Sequence, residues 1–223
     1  IGHDLGIDTL GEYAHALGLG VSTGIELVET TGNMSNAANH MDYAGSEWRI
    51  GDTLQAAIGQ SDSVFTPLQL AEYCAAVANN GERHSASILK SIRNYDYSEK
   101  VYERQDEVLS SVESPQYNWD AIHEGMKEVI NSPLNETNYL NFYDCAVTVA
   151  GKTGTAQKGE GIKNDGLFIC YAPYEDPEIA VAVVVERGHA GASVGFIARQ
   201  IVDVYLNIRS YSNTSESEMS LLK

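Results

Sequence analysis

The chain has 223 residues, 43% of them hydrophobic, and a formal net charge of −17 at pH 7. This length suits one domain or a large piece of one, and 20 glycines against 5 prolines are typical of a turn-rich globular α/β chain. Nucleic acids and anionic membranes are bound through basic surfaces, so the acidic balance argues against both as partners.

The cysteines and the N-terminus carry little chemistry of their own. Cys74, Cys145 and Cys170 are far apart and show no metal-binding spacing, so we expect mostly buried thiols, with possible pairing left open. No apolar run reaches membrane-spanning length, and the N-terminus does not resemble a signal peptide. The chain begins at Ile1 without Met, and we expect it to be a fragment whose upstream part is missing.

The start of the chain is predicted to hold a helix and a long loop. Asp8 is a candidate N-cap for a helix that ends at Gly18-Leu19-Gly20. A short extended piece is predicted over 25–27. Residues 30–47 are polar and small, which predicts a surface loop.

Two strong helix starts follow. Thr66-Pro67 combines an N-cap residue with proline at the first helical position, and Asn80-Gly81 ends the apolar stripe that begins there. Ser114-Pro115 starts a second helix in the same way. Residues 86–93 and 100–104 predict a β-hairpin between the two helices.

The remainder of the chain has the pattern of a sheet followed by a helix. Strands are predicted over 147–157, 167–172 and 179–186, and their short connections imply antiparallel pairing. A helix over about 193–208 follows, and residues 210–223, rich in Ser and Glu, predict a disordered tail. The sequence therefore indicates an α+β fold with an antiparallel sheet flanked by helices.

Several short matches to catalytic motifs are rejected on their context. Gly191-Ala192-Ser193-Val194-Gly195 matches the G-x-S-x-G elbow of α/β-hydrolases, but no histidine follows it to act as the base. Ser87-Ile88-Leu89-Lys90 matches S-x-x-K, but its alternation predicts a strand, on which the two side chains point to opposite faces. Tyr139-Leu140-Asn141 matches a Tyr-x-Asn motif, but it lies too close before Lys152 to be an independent element. The six histidines are scattered without ligand spacing, so we expect no metal site.

The strongest candidate for a site is the run Ala150 to Gln157, which contains a Lys-Thr-Gly triplet on a predicted strand. There Thr153 and Thr155 project to one face and Lys152 to the other, while Gly154 leaves room for another backbone or a ligand. Two hydroxyls and an ammonium on an exposed edge strand suit a ligand that ends in a carboxylate and adds to the sheet. An edge strand with a solvated lysine and two β-favouring threonines explains the same residues equally well.

Matches on both sides of the triplet extend over most of the chain. They comprise Ala57-Ile58-Gly59-Gln60, Thr66-Pro67-Leu68-Gln69-Leu70-Ala71, Ala78-Asn79-Asn80-Gly81, His123-Glu124-Gly125-Met126 and Ala150 to Gln157. In this order and spacing they resemble class B penicillin-binding proteins, the D,D-transpeptidases of bacterial cell walls. The resemblance implies the C-terminal part of the transpeptidase domain over residues 1–209, with a penicillin-binding-protein/serine β-lactamase-like fold incomplete at its N-terminal side.

Two features depart from the family pattern. Ser61 stands where the family usually has Gly, which alters a loop. Neither the Ser-x-x-Lys nor the Ser-x-Asn motif is present in the right context. In the family both precede the position of Ile1. We therefore expect three residues upstream of this chain: the nucleophilic serine and the lysine base of Ser-x-x-Lys, and the serine of the second motif, Ser-x-Asn.

The resemblance implies a serine acyl-transfer reaction on D-Ala-D-Ala stem peptides of peptidoglycan, which β-lactams mimic. Lys152 would act electrostatically and hydrogen-bond the second-motif serine. The hydroxyls of Thr153 and Thr155 would bind the substrate carboxylate next to Gly154. The backbone N–H of Thr155 would be one of two oxyanion donors. The catalytic residues in this chain are therefore expected to be Lys152 and Thr155, with no metal or cofactor.

The resemblance also implies a place in the cell. The domain is expected outside the bacterial cytoplasmic membrane, tethered by an anchor that is not in this chain, with the upstream part of its own chain and a glycosyltransferase of the cell-wall machinery as partners. Two alternatives stay open. One is a D,D-carboxypeptidase or β-lactamase-type serine hydrolase, and the other is a non-catalytic β-lactam sensor or scaffold of the same fold.

Overall fold

The computed structural model describes residues 1–159 and 161–219. The chain forms two compact units, the first over Ile1–Gln116 and the second beginning at Tyr117. The assignment of residues 1–209 to part of one domain stays a prediction. Over the described ranges, no helix combines the length and apolar character that crossing a bilayer requires.

The helices of the first unit differ at the N-terminus from the sequence prediction. They are α1 (Gly2–Leu5), α2 (Ile7–Ala16), α3 (His40–Ala44), α4 (Ile50–Ala56) and α5 (Pro67–Ala78). The predicted N-cap Asp8 lies in the first turn of α2, because Gly6, with a φ of 81°, ends α1 and starts α2. An acidic side chain there still complements the helix dipole. The predicted extended piece at 25–27 is not a strand.

Helix α5 begins where the sequence predicts. The hydroxyl of Thr66 accepts a hydrogen bond from the backbone N–H of Gln69 at 3.2 Å, and the Gln69 amide oxygen accepts one from the Thr66 N–H at 3.0 Å. This reciprocal pair is a capping box. Gln69 is fully buried, and its amide nitrogen donates to the carbonyls of Val21 and Thr31. The Thr-Pro-Leu-Gln motif therefore also holds the preceding loop in place.

Two small antiparallel sheets complete the first unit. The predicted hairpin is confirmed with shorter strands, β2 (Ser91–Arg93) and β3 (Lys100–Glu103). The second pair, β1 (Glu82–His84) with β4 (Val108–Ser111), has no counterpart in the sequence prediction. Strands of three or four residues show too few alternations to be recognised.

The second unit contains the predicted antiparallel sheet. Its strands β5 (Ala150–Ala156), β6 (Asp165–Ala172) and β7 (Ile179–Val185) lie in that spatial order, with α6 (Gln116–Asn131) and α7 (Glu136–Phe142) before them. The α+β fold is confirmed. The short helix α7 was not predicted, because its run of Asn, Tyr and Thr shows no apolar stripe.

The C-terminal helix extends beyond its predicted end. A 3-10 helix over Gly191–Val194 leads into α8, which runs over Gly195–Met219 and not only to about residue 208. Residues 220–223 lie outside the described residues. A disordered tail over 210–223 stays a prediction.

The core of the second unit lies between the sheet and α8. Phe168 and Cys170 of β6 and Val181 and Val183 of β7 point to the same face, because they stand opposite one another in the antiparallel register. These side chains pack with Ala198 and Val202 of α8. The rings of Phe142 and Phe168 stack at a centroid distance of 5.7 Å. This packing fixes the sheet whose outer strand carries the candidate site.

Candidate functional site

Strand β5 lies at the edge of its sheet. It is paired with β6 on one side, and no other described strand pairs with it. Thr153 stands opposite Phe168 in the register, so Thr153 and Thr155 share the face of the sheet that packs on α8. Lys152 points to the opposite face. The alternation predicted from the sequence is therefore present.

Lys152 is exposed. Its ammonium donates a hydrogen bond to the Thr153 carbonyl at 2.7 Å, and it makes no ion pair with a carboxylate among the described residues. An edge strand also turns every second N–H and C=O away from the sheet. The combination of a cation and open backbone groups is suited to an extended anionic ligand.

Thr155 lies next to the start of the 3-10 helix. Its hydroxyl accepts a long hydrogen bond from the Gly191 N–H at 3.4 Å. A Cβ at Gly191 would lie 2.5 Å from the Gly154 carbonyl oxygen and 2.3 Å from that of Leu167. A Cβ at Gly154 would meet the Leu167 side chain at 3.2 Å, a tight but less severe contact. The close backbone approach predicted at Gly154 is therefore present, but Gly191 is the residue that most requires the missing side chain.

Asp165, which the sequence analysis missed, connects the segments next to β5. One of its carboxylate oxygens pairs with the Lys158 ammonium at 2.7 Å, and the other accepts from the Arg187 N–H at 2.9 Å. The hydrogen bond from Lys158 lowers the pKa of this carboxyl, and the Arg187 N–H acts in the same direction. Asp165 thus ties the end of β5 to the turn after β7. An Asp at the start of a strand gives no sequence signal for this role.

The rejected motifs have structural roles. Ser87 lies in a loop, where its hydroxyl bonds to Glu26 and to the Leu89 carbonyl, so it does not share a helix with Lys90. Ser193 lies in the 3-10 helix and its N–H donates to the Ala190 carbonyl. The Asn141 amide donates to the Ala192 carbonyl at 3.4 Å. The rejection of these motifs as catalytic is consistent with these contacts.

The histidines lie in separate surroundings. Among the described residues, no group of three or more His, Cys, Asp or Glu side chains is arranged to hold a metal ion. Burial disfavours the charged form of His84, but hydrogen bonds and charges from Asp106 and Glu82 outweigh it and raise its pKa. The three cysteines are free thiols, with Cys74 and Cys170 buried.

The sequence is similar to known cell-wall proteins over most of its length. The family model described as the penicillin binding protein transpeptidase domain matches residues 1–203. The peptidoglycan D,D-transpeptidase MrdA of Haemophilus influenzae is 32% identical over 228 residues, covering 94% of this chain and 34% of that relative. Penicillin-binding protein 2B of Streptococcus pneumoniae strain D39 is 33% identical, covering 88% of this chain and 28% of that relative.

Solved structures agree with this similarity. PBP2 of Pseudomonas aeruginosa in complex with WCK 5153 has a TM-score of 0.78 at 29% identity, covering 92% of this chain and 45% of that one. PBP2 of Helicobacter pylori in complex with MreC has a TM-score of 0.77 at 26% identity, covering 93% of this chain and 37% of that one. The chain thus spans about a third of the length of the curated relatives it matches.

Proposed function

The chain belongs to the penicillin-binding protein transpeptidase domain family, and from this premise we propose that it supplies one wall of a peptidoglycan D,D-transpeptidase site. The observation that carries the proposal is the position of Lys-Thr-Gly-Thr on β5, an edge strand with Lys152 and Thr155 exposed. In the proposed site the D-Ala-D-Ala end of a stem peptide lies along β5 as an added strand.

Each side chain then has a distinct role. Lys152 lowers the energy of negative charge that develops near it and hydrogen-bonds a serine that lies outside this chain. The hydroxyls of Thr153 and Thr155 bind the terminal carboxylate of the peptide. The Thr155 N–H donates to the oxyanion that forms on the scissile carbonyl, and one such donor is typically worth about 3 kcal/mol in the barrier.

The chemistry is acyl transfer through a serine nucleophile supplied by the parent protein. The serine oxygen adds to the penultimate D-Ala carbonyl, the C–N bond to the terminal D-Ala breaks, and the leaving amine takes a proton. An amine of a neighbouring stem peptide then displaces the serine from the acyl-enzyme. A β-lactam enters the same path, and its opened ring stays attached to the serine.

Acylation of the parent chain by a labelled penicillin tests the proposal. We expect Lys152→Ala to lower the second-order rate constant of acylation by a factor of roughly 100 or more, because a preorganised charge next to the reacting atoms is lost. Thr155→Ala should mainly weaken carboxylate binding, by about tenfold. Lys163→Ala, which removes an exposed lysine of the β5–β6 connection, is the matched control.

Two results would count against this assignment. Near-normal acylation of both Lys152→Ala and Thr155→Ala would remove the role of β5. Stoichiometric labelling of the 223-residue chain by itself would contradict the placement of the nucleophile outside it.

The cellular setting is part of the same proposal. We place the domain on the outer side of the bacterial cytoplasmic membrane, where the stem peptides are cross-linked. The H. pylori relative in complex with MreC supports partners from the cell-wall machinery, and a glycosyltransferase that makes the glycan strands is a natural one. The P. aeruginosa relative solved with WCK 5153 is consistent with a site that accepts small ligands.

A further inference from the structure

Two of the three cysteines lie in the same part of the second unit, whereas Cys74 belongs to α5 of the first unit. Cys170, on β6, is fully buried in the core that the sheet forms with α8. Cys145 is half-buried and packs against that same core from the connection between α7 and β5. The structure therefore narrows the pairing that the sequence leaves open to Cys145 with Cys170.

Contacts on either side bring these two cysteines to one patch of the core. The Cys145 N–H donates to the Phe142 carbonyl at 2.9 Å, so Cys145 closes the turn in which α7 ends. The Phe142 ring stacks on the Phe168 ring at a centroid distance of 5.7 Å. Phe168 and Cys170 are two residues apart on β6 and share the side that faces α8. Cys145 therefore lies beside the patch in which Cys170 is buried.

The electrostatics of Cys170 agree with this placement. Burial raises the pKa of its thiol to about 12, and the charge of Cys145 adds to the rise. A neighbouring charge shifts a pKa in this way only from a short distance. The two thiols differ in access, because Cys145 lies at the edge of the core and Cys170 has no exposed surface.

The connection that carries Cys145 adjusts more readily than β6. Residues 145–149 belong to no helix or strand, whereas β6 is paired on both sides. Arg199 of α8 anchors the preceding residue, Asp144, through its carboxylate at 2.7 Å and its carbonyl at 3.3 Å. Cys145 can therefore shift towards β6 from a fixed point, as the short Cα separation of a disulfide requires.

We propose that Cys145 and Cys170 form an intramolecular disulfide when the protein meets a small disulfide such as glutathione disulfide. The bond closes a loop that contains all of β5, so it is a redox-sensitive clamp at the base of the Lys-Thr-Gly strand. Disulfides persist in oxidising compartments, and the proposed setting outside the membrane is of this kind. The inference does not depend on the acyl-transfer reaction.

The disulfide forms in two exchange steps. In the first, the Cys145 thiolate attacks one sulfur of glutathione disulfide, which gives a mixed disulfide and releases one glutathione thiolate. In the second, the Cys170 thiol loses its proton and its sulfur displaces the second glutathione from Cys145. Two protein thiols are oxidised to one disulfide, and one glutathione disulfide is reduced to two glutathione thiols.

The pH dependence of the second step distinguishes closure in the folded protein from closure in unfolded molecules. Between pH 8.5 and 9.5, the thiolate fraction of a thiol with a pKa of about 12 rises about tenfold, whereas that of a thiol with the ordinary pKa of 9.0 rises about threefold. We expect bond formation from the isolated mixed disulfide to show the steeper dependence. A threefold increase would place the reaction in unfolded molecules and would contradict the clamp.

Oxidation of the parent chain with glutathione disulfide at pH 8 tests the bond itself. The remaining thiols are alkylated, and the unfolded protein is digested without a reductant for mass spectrometry. We expect two peptides linked through Cys145 and Cys170, about 2 Da lighter than the two thiol peptides together. The oxidised parent should also melt roughly 5 to 10 °C higher than the reduced one, because the closed loop restricts the unfolded chain.

Two variants are the controls. Cys145→Ser should abolish both the linked peptides and the rise in melting temperature on oxidation, whereas Cys74→Ala should keep the linked peptides. Three results would overturn the inference and leave the proposed function standing: glutathione that stays on Cys145 without a linked pair, a linked pair that includes Cys74, or Cys145 and Cys170 both still reduced.

Discussion

Replacing Glu72 by glutamine is expected to stabilise the first unit at pH 8 and to have a much smaller effect at pH 5. Glu72 of α5 forms an ion pair with Arg83 of β1 at 3.3 Å, and the two side chains are 5% and 9% exposed. The second carboxylate oxygen of Glu72 has no hydrogen-bond partner among the described residues. Arg83 also donates to the Ser110 hydroxyl and the Ser22 carbonyl. The ion pair is therefore a single long contact in a desolvated place.

Burial outweighs the attraction of Arg83 and raises the pKa of Glu72 from 4.5 to about 7, and the nearby Glu29 charge adds to the rise. The folded state then holds the proton more tightly than the unfolded state does. The stability that this group provides is fully present below pH 4.5 and is lost as the pH rises towards 7. At about 1.4 kcal/mol per pH unit, the loss reaches about 3 kcal/mol by pH 8. Glutamine resembles the protonated form and avoids this loss.

Urea unfolding at pH 5 and pH 8 measures the effect. Trp48 reports on the first unit when Trp119 is replaced by phenylalanine, and the wild-type carboxyl is compared with Glu72→Gln in that background. We expect the advantage of glutamine to grow by 2 to 3 kcal/mol between the two pH values, and the exposed Glu12→Gln to show no such growth. A glutamine variant that is less stable than wild type at pH 8 would refute the reasoning, because the ion pair would then outweigh the cost of burial.

Two further predictions concern the second unit. Gly191→Ala should destabilise it by about 3 kcal/mol, because the added Cβ would lie 2.5 Å from the Gly154 carbonyl oxygen. Gly125→Ala, whose Cβ lies in open space on α6, is the control and should stabilise the unit by about 1 kcal/mol. Equal melting temperatures of the two variants would contradict the contact at Gly191. Burial raises the pKa of the Cys170 thiol to about 12, so iodoacetamide at pH 8 should modify the half-buried Cys145 and spare Cys170, as read by mass spectrometry. Modification of Cys170 without denaturant would show that the core opens.

Local chemistry explains why part of the fold could be predicted. Thr66-Pro67 starts a helix through interactions within one turn, and the three strands of the second unit are runs of seven or eight residues, two of them rich in apolar side chains. Such signals are contained in neighbouring residues. Strands β1 and β4 depend on pairing between segments far apart in the chain, and α7 has no apolar stripe. None of these three elements could therefore be recognised from the sequence.

The same distinction holds for the site. The Lys-Thr-Gly triplet predicted the strand and the faces of Lys152 and Thr155, because a strand has a fixed period. The contact of Thr155 with Gly191 joins residues 36 positions apart and depends on tertiary packing. The positive φ values of Arg187 and His189, in the turn after β7, could not be predicted, because neither residue type indicates such a backbone in the sequence.

The edge position of β5 also affects how the chain behaves at high concentration. A flat edge strand with open N–H and C=O groups is a template for pairing with a second copy, and natural proteins discourage this with charged side chains, lysine above all. Lys152 lies in the middle of the edge, flanked by small residues and threonines that do not obstruct pairing. Two β5 strands that met antiparallel would bring two such ammonium groups together. The lysine proposed to stabilise negative charge in the site therefore also protects the strand against self-association, so the same charge serves the reaction and solubility.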